Sequence, residues 1–459
     1  MGPDPVVRLL AAFARPLDTA VAAARTCTSA SGAVSPDGVL CAPGLSEDEL
    51  AGVRGRRDAL ARSLYAAGHH TTFQHAHFLF SLERVSRQFV WSFLHAHPYS
   101  NSEQVSQRYV RVAADEVLIP ELPPAASESA RTTVAAQHAA YGRLVQLLGP
   151  VAEAELLKRF PTWRRHPKRL DRQSRRRAQE VARSVLPVAT YTSLLHTVSC
   201  LTLFRYRRLC LQFDVPSETC RVVDAMVAAA LEHDPDLATV LEEPIPLEST
   251  PEYELFAAFH GAETQSAAYR SEFDRDLAGL TSRLLAPAGG NVAAVAAAVR
   301  AVLGLPAGRL PDEEAVRLAL DPGVNRLLGE DLNLSTLSKL GRCLHHAHYT
   351  FAKKLSHAAD SQDQRHRMTP AARPLLAAVV DEQPDVVVPR LVAHAGGEAR
   401  RVFDEALQIR EAEPAIGRWL LPPCAVRQLA GRRPFCPEGE RFCGIPVWRI
   451  QPAEYKRII

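Results

Sequence analysis

The sequence predicts a helix-rich α+β fold built from two tandem units, each with a small twisted sheet. Three observations carry this prediction: a helical spacing of apolar residues over most of the chain, a few short β-favouring segments, and an echo between the two halves. The chain has 459 residues, of which 47% are hydrophobic and 23% charged. That composition is typical of a globular protein of more than one domain and excludes a disordered tail or a collagen-like fibre.

Most segments predict helices because apolar residues recur every three to four positions. In the segment 50–67, Leu50, Val53, Leu60 and Leu64 share one face and arginines lie opposite them. The same spacing predicts helices over residues 85–97, 131–157, 178–186, 221–232, 252–286, 291–304 and 398–410.

Two short segments, 76–82 and 445–450, are rich in β-branched and aromatic residues and favour strands. The Pro-rich stretch 244–251 predicts a linker. We therefore expect two domains, residues 1–243 and 252–459.

The two halves echo each other in sequence. QHAHFLFSLERVS at 74–86 resembles HHAHYTFAKKLS at 345–356. Nine residues beyond each closing serine come His95-Ala96-His97 and Arg365-His366-Arg367, respectively. The echo indicates either a degenerate duplication or a chance similarity between two histidine-rich segments.

The basic residues are distributed unevenly. The formal net charge is only +3, so bulk electrostatics does not indicate a nucleic-acid-binding protein. Residues 158–177 are nevertheless strongly basic, with Phe160 and Trp163 interleaved. This pattern suits a surface that follows phosphates and stacks bases, or else a solvated loop followed by an arginine-rich helix start.

Cysteine usage and the N-terminus indicate a cytoplasmic protein. Nine cysteines, an odd number in a long chain, argue against a disulfide framework. Cys424, Cys436 and Cys443 lack the close pair of a zinc ribbon, so no metal site is expected. The sequence has neither a secretory signal nor an apolar run long enough to span a membrane.

The segment 69–110 carries the richest chemistry. A histidine-rich turn leads into the predicted strand, then the predicted helix over 85–97, then a polar loop of Ser, Asn, Glu and Gln. Arg108 beside Ser106 and Tyr109 has the makings of an anion site, because a guanidinium fork and hydroxyl donors suit an oxyanion. His95 and His97 do not share a helix face, which argues against metal binding by that pair.

These motifs resemble the flavin-dependent thymidylate synthases. The matching elements are His69-His70-Thr71, Phe78-Leu79-Phe80, Val85-Ser86-Arg87, Ser106-Gln107-Arg108-Tyr109-Val110 and Ala182-Arg183-Ser184-Val185-Leu186-Pro187. The resemblance covers most of 50–230, and its most specific part is the loop that ends in SQRYV.

The resemblance implies reductive methylation of dUMP or a related pyrimidine nucleotide. Methylenetetrahydrofolate would supply the carbon, and FAD reduced by NADPH would supply the hydride. It implies that Ser106 and Arg108 are catalytic, with Arg108 polarising the uracil. The implied substrate-binding residues are Gln104, Gln107 and Tyr109, and the implied cofactor-binding residues are His69, Thr71, Gln74, His95, His97 and Asn101.

The chain also departs from the family pattern. His95-Ala96-His97 replaces the family's Arg-His-Arg, which removes two guanidiniums that would hold flavin or nucleotide. An alternative function is therefore a catalytically inactive protein that binds a nucleotide or, through 158–177, a nucleic acid.

The second half keeps a literal Arg365-His366-Arg367. Family members build each active site between subunits of a homotetramer. We hypothesise a homodimer that forms a pseudo-tetramer, with Arg365, His366 and Arg367 completing a composite site with Arg108. A chance match of three letters is the alternative.

Overall fold

The structure, a computed structural model, describes most of the chain. The described residues are 4–40, 44–96, 99–107, 110, 112–113, 116–119, 122–213, 217–260, 265–287, 289–321, 324–329, 337–363, 371–379 and 385–411. By their internal contacts they form two compact units, the first within 4–270 and 356–411 and the second within 271–355.

Helices dominate both units. They are α1 (Pro16–Thr26), α2 (Asp37–Leu40), α3 (Glu47–Ala66), α4 (Arg87–Ala96), α5 (Pro124–Arg159), α6 (Pro167–Ala182), α7 (Cys200–Leu209), α8 (Ser217–His233), α9 (Pro251–His260), α10 (Ser266–Leu277), α11 (Asn291–Leu303), α12 (Asp312–Leu320), α13 (Lys339–Arg342), α14 (His357–Asp363), α15 (Leu376–Val379), α16 (Arg390–Ala395) and α17 (Gly397–Glu411). The strands are β1 (Val6–Ala12), β2 (His77–Ser86), β3 (Ser100–Gln104), β4 (Tyr191–Ser199), β5 (Ser282–Pro287) and β6 (Tyr349–Lys353).

The first unit is built on an antiparallel sheet in the order β1-β2-β4-β3. In β2, Phe78, Phe80 and Leu82 are fully buried, whereas the residues between them are at least partly exposed. This alternation is the period of two expected for a strand with one covered face. The covered face packs into a core with α1, α3, α4, α7 and α8.

A bulge ends the regular part of β2. Its pairing with β4 shifts register between Leu82 and Val85, and Arg84 adopts a left-handed conformation with φ of 54°. A bulge bends its strand and re-aims the side chains that follow. The chain leaves the bulge directly into α4.

A second core in the first unit is helical. α5 packs against α6, α16 and α17 around buried residues such as Leu144, Leu148, Ala178 and Phe403. The second unit pairs β5 with β6 and packs α11 against α12 around Val295 and Ala315.

The helix-rich α+β class is confirmed, and so are the helices predicted over 50–67 and 131–157 and the strand over 76–82. Two predictions are wrong. Residues 252–286 form α9, α10 and the first residues of β5 rather than continuous helix, and the polar loop after α4 contains β3. β3 forms because β4 supplies partners for its backbone, which the local sequence does not reveal.

The predicted strand over 445–450 lies outside the described residues. The predicted domains, 1–243 and 252–459, are two copies inferred from the sequence echo. The compact units of the structure are defined by contacts between residues, which do not test a duplication. The tandem arrangement therefore stays a prediction.

Candidate active site

A buried carboxylate holds the start of α4. The Ser86 backbone N–H donates to Glu218 Oε1 (2.7 Å) and the Ser86 hydroxyl donates to Oε2 (2.5 Å). The same hydroxyl accepts a hydrogen bond from the N–H of Phe89 (3.0 Å), as an N-cap residue does. Both Ser86 and Glu218 are buried, and burial raises the pKa of Glu218 against the opposing effect of these hydrogen bonds. The position of Arg87 is thereby fixed.

Arg87 reaches from α4 to the end of β3. Its Nη1 donates to Gln104 Oε1 (2.9 Å) and its Nη2 donates to the Val105 carbonyl (2.6 Å). Burial and the like charge of Arg183 lower the pKa of Arg87. Because an arginine stays protonated in proteins, the site holds a partly desolvated positive charge that a bound anion would stabilise.

Arg87 and Arg183 line a small, partly open cavity in the first unit. The cavity measures about 50 Å³, and its other lining residues are Val90, Trp91, Gln104, Gln107, Val188, His357, Ala358 and Ser361. A single water needs roughly 10–15 Å³, so the cavity accommodates a small group such as a phosphate.

Three buried polar atoms around this cavity have no hydrogen-bond partner among the described residues. They are Nε of Arg87, Nε2 of Gln107 and Nε2 of His357. A buried polar atom without a partner costs roughly 1–3 kcal/mol. The first two atoms are donors, and an imidazole nitrogen is a donor in the appropriate tautomer or when protonated. All three atoms belong to residues that line the cavity, so an oxyanion there is a candidate partner for them.

Residues far along the chain form one wall of the cavity. The Trp91 indole N–H donates to Asp360 Oδ2 (2.9 Å), and Nε of Arg373 lies 3.1 Å from both oxygens of Asp360. The Trp91 and His357 rings lie 4.9 Å apart between centroids. These contacts hold α14 against α4.

Comparison with known proteins identifies the family. The profile of the family described as thymidylate synthase complementing protein matches residues 8–236. A flavin-dependent thymidylate synthase of Nitratidesulfovibrio vulgaris (strain Hildenborough) is 30% identical over 239 residues, which are 51% of this chain and 85% of the relative. The chain belongs to the flavin-dependent thymidylate synthase family.

Two solved structures are also similar to the chain. A UMP/dUMP methylase, PolB, from Streptomyces cacaoi, bound with 5-Br dUMP, is 20% identical, with a TM-score of 0.34, and the match covers 56% of this chain and 96% of PolB. Thymidylate synthase X from Helicobacter pylori, with FAD and dUMP, is 14% identical, with a TM-score of 0.34, and the match covers 52% of this chain and all of the other. The family assignment rests on the profile and on the relative from N. vulgaris.

Two residues that were predicted for the nucleotide site, Gln104 and Gln107, line the cavity. Ser106 lies between Gln104 and Gln107 in the chain and is half-buried. Arg108 and Tyr109 lie outside the described residues. The catalytic roles of Ser106 and Arg108 stay predictions.

The predicted flavin-side residues lie at two places in the first unit. His69, Thr71 and Gln74 are exposed at a 3₁₀ turn before β2, and Asn101 is exposed on β3. Cross-strand pairing aligns Asn101 with Thr197 of β4 and Thr197 with Leu79 of β2 on the open face of the sheet. His95 is half-buried, and its Nδ1 lies 2.7 Å from the Trp91 carbonyl. His97 lies outside the described residues.

The remaining predicted features lie largely outside the described part. Arg365, His366 and Arg367 belong there, as do Cys424, Cys436 and Cys443, so the composite site and the role of these thiols stay predictions. Within the described part, no cluster of His, Cys, Asp or Glu could hold a metal ion. No helix of that part is both long and apolar enough to cross a membrane.

The basic segment 158–177 covers the end of α5, a 3₁₀ turn and the first part of α6. The Phe160 and Trp163 rings stack on each other at 4.6 Å, and the Arg169 guanidinium lies 4.5 Å above the Trp163 ring. Trp163 is buried, so a nucleic acid would meet the guanidiniums rather than this ring. The nucleic-acid interface stays a prediction.

Three charged or titratable residues of the cavity are missing from the sequence predictions. Arg87 and Arg183 stand in the matching motifs but were not predicted as site residues, and His357 was not considered. The sequence carries a signal for His357, because it follows the closing serine of the second echo as Arg87 follows that of the first.

Proposed function

We propose that this family member methylates dUMP or a related pyrimidine nucleotide, with FAD as cofactor and methylenetetrahydrofolate and NADPH as co-substrates. The nucleotide's phosphate would occupy the cavity beside Arg87 and Arg183. The base would then extend towards the segment that carries Ser106 and Arg108.

One observation carries this proposal. Two guanidiniums, of Arg87 and Arg183, line a cavity of phosphate size. Nε of Arg87 and one side-chain nitrogen each of Gln107 and His357 are buried there without a partner among the described residues. Arg87, Gln107 and Arg183 each belong to a sequence element that resembles the family pattern, so the geometry and the resemblance point to the same place. The relative from N. vulgaris, named a flavin-dependent thymidylate synthase, supports the reaction class.

The described residues fit a flavin in their chemistry. Thr71, Gln74 and Asn101 present exposed hydroxyl and amide groups, and Leu195 is 48% exposed on β4, so polar and apolar contacts are both available. These residues would hold the ring system and its hydrogen-bonding edge. Bound FAD, once reduced by NADPH, would supply the hydride that the methylation requires.

The chain's own groups would bind and orient the nucleotide. Arg87 and Arg183 would neutralise the phosphate, and Gln107 would donate a hydrogen bond to it. Anchoring the phosphate in a small cavity fixes one end of the substrate, which lowers the entropic cost of aligning the base. Arg108 would stabilise negative charge on the pyrimidine oxygen.

The decisive experiment follows the flavin and the product together. Purified full-length protein should carry a flavin absorption band that NADPH bleaches under anaerobic conditions. Addition of dUMP and methylenetetrahydrofolate should restore the band and yield dTMP, detected by mass spectrometry; UMP is tested in parallel. Reduced flavin that persists with both pyrimidine nucleotides, with no methylated product, would refute the proposal.

A specific observation favours a second candidate, an inactive nucleotide-binding protein. His95 stands where the family has an arginine, and its Nδ1 is engaged with a carbonyl of its own helix. None of the described flavin-side residues His69, Thr71, Gln74, His95 and Asn101 carries a permanent charge. Tight dUMP binding without any flavin band would support this candidate.

A further inference from the structure

The second half of the chain begins a helix as the first half does. The Ser86 hydroxyl accepts from the N–H of Phe89 (3.0 Å), and the Ser356 hydroxyl accepts from the N–H of Ala359 (3.1 Å). Each serine closes its echo in the sequence and caps the helix that follows. His357 of α14 therefore occupies the position that Arg87 occupies in α4.

These two equivalent positions meet at one cavity. Arg87 and His357 both line it, although 270 positions separate them in the chain. The Trp91–Asp360 hydrogen bond holds the two helices together, and Arg373 pairs with the same carboxylate. The wall that α14 contributes lies outside the residues matched by the family profile.

His357 lines this cavity and carries a buried ring nitrogen. Its Nε2 has no partner among the described residues. Burial lowers the pKa of His357 to about 4, although Asp360 opposes the shift and His95 adds to it. The charged and titratable groups around the imidazole are Arg87, Arg183, His95, Asp360 and Arg373. With this lowered pKa, the imidazole is uncharged at neutral pH.

We propose that His357 is a ligand of the nucleotide's phosphate and takes up a proton when the phosphate binds. This inference rests on the proposed function. A dianion next to a buried imidazole stabilises its protonated form and raises its pKa. Between about pH 4 and the raised pKa, binding therefore takes up a proton, and affinity rises as pH falls.

The test measures proton uptake directly. Calorimetric titration of the full-length protein with sulfate, a dianion that does not titrate in this range, is run in two buffers of different ionisation enthalpy. We expect uptake near pH 6 and an affinity that rises by up to about tenfold per pH unit as pH falls. Titration with dUMP should show the same proton uptake, and this uptake should depend on His357.

Two variants test whether the proton uptake depends on His357. His357→Gln should lose the proton uptake and bind sulfate about tenfold more weakly at low pH, because it cannot become charged. His166→Gln changes an exposed histidine of the same unit and should keep both the proton uptake and the affinity for sulfate. Unchanged uptake and affinity in His357→Gln would overturn the proposal.

Further outcomes separate this proposal from the proposed function. If the wild-type protein binds dUMP and Arg87→Gln does not, but His357→Gln behaves as wild type, the nucleotide site stands and His357 is not part of it. If the wild-type protein binds neither dUMP nor sulfate, the proposed function fails. Trp91→Phe loosens α14 and should weaken sulfate binding; tighter binding would show that α14 obstructs the cavity, against the proposal.

Discussion

The two echo segments follow the same order of elements but differ in burial. Each runs from a 3₁₀ turn through a strand to a helix capped by serine: His70–Gln74, β2 and α4 in the first half, and Cys343–His346, β6 and α14 in the second. Phe80 of β2 is fully buried, whereas Phe351, at the corresponding position in β6, is 50% exposed. β2 lies between β1 and β4, while β6 pairs with β5 in a two-stranded sheet.

The difference shows that the residue pattern of a strand does not determine how deeply its side chains are buried. The HAHFLF and HAHYTF stretches have similar β propensity. Among the described residues, however, only the first has neighbouring strands on both sides and helices over one face. The first echo is also one residue longer between its second HAH histidine and its closing serine, and β2 has a bulge in that interval. The helix starts resemble each other more closely than the strands do.

The largest expected effect distinguishes the two strands. Phe80→Ala should lower the free energy of unfolding by ~3–5 kcal/mol, because a large core cavity results. Phe351→Ala, the matched control, should cost less than about 1 kcal/mol. Urea unfolding followed by circular dichroism measures both. Equal losses would mean that Phe351 is covered in the native protein and that the two strands are alike.

The next effect concerns the helix start that is specific to the first half. Glu218→Ala leaves the N–H and hydroxyl of Ser86 buried without their acceptor and should destabilise the protein by ~2–4 kcal/mol. Glu232→Ala, an exposed change on the same helix α8, should stay within about 0.5 kcal/mol of wild type. Thermal unfolding compares the two. A mild Glu218→Ala variant would indicate that the helix start does not depend on this carboxylate.

Arg87 offers a functional contrast with His357. Arg87→Gln should weaken dUMP binding by about 10–100-fold, since a charge-assisted hydrogen bond contributes ~1.5–3 kcal/mol. Arg172→Gln, on the exposed side of α6, should bind as wild type does. Calorimetric titration gives both affinities, and circular dichroism checks the fold. Full affinity in Arg87→Gln would place the phosphate elsewhere.

The smallest effect tests the cap of the second half. Ser356→Ala removes the acceptor for the Ala359 N–H and should cost ~1 kcal/mol of stability. Ser361→Ala, which removes only a hydroxyl bonded to the His357 carbonyl, serves as a control within α14. Hydrogen exchange of the peptide that spans α14 reports local opening. Identical exchange in both variants would mean that Ser356 is not the cap that makes α14 equivalent to α4.

Much of the fold was accessible from local pattern. The helices predicted over 50–67 and 131–157 were found because their apolar spacing is regular over many turns, and α3 also has a complete capping box of Ser46 and Glu49. Of the described strands, only β2 was predicted, and β1, β3, β4, β5 and β6 were missed. The polar residues 100–104 form a strand only because β4 lies beside them, and no local signal reports that partner.

The residues of the candidate site were predictable from the sequence only in part. Gln104 and Gln107 were predicted from their place in the polar loop that ends in SQRYV, and both line the cavity. Arg183 and His357 were not predicted as site residues, because they come from separate helical regions and reach the cavity by packing alone.

By itself, the sequence determined the α+β class, the main helices and the family to which the chain belongs, since these depend on residue spacing and motif identity over short stretches. Only the tertiary structure decided which polar side chains lie together. One cavity is lined by Arg87, Gln107, Arg183 and His357. These residues meet because a bulge interrupts β2 shortly before its end, Glu218 fixes the start of α4, and Asp360 holds α14 against Trp91. Such contacts join residues that are distant along the chain, and their energy depends on the packed core rather than on any local pattern.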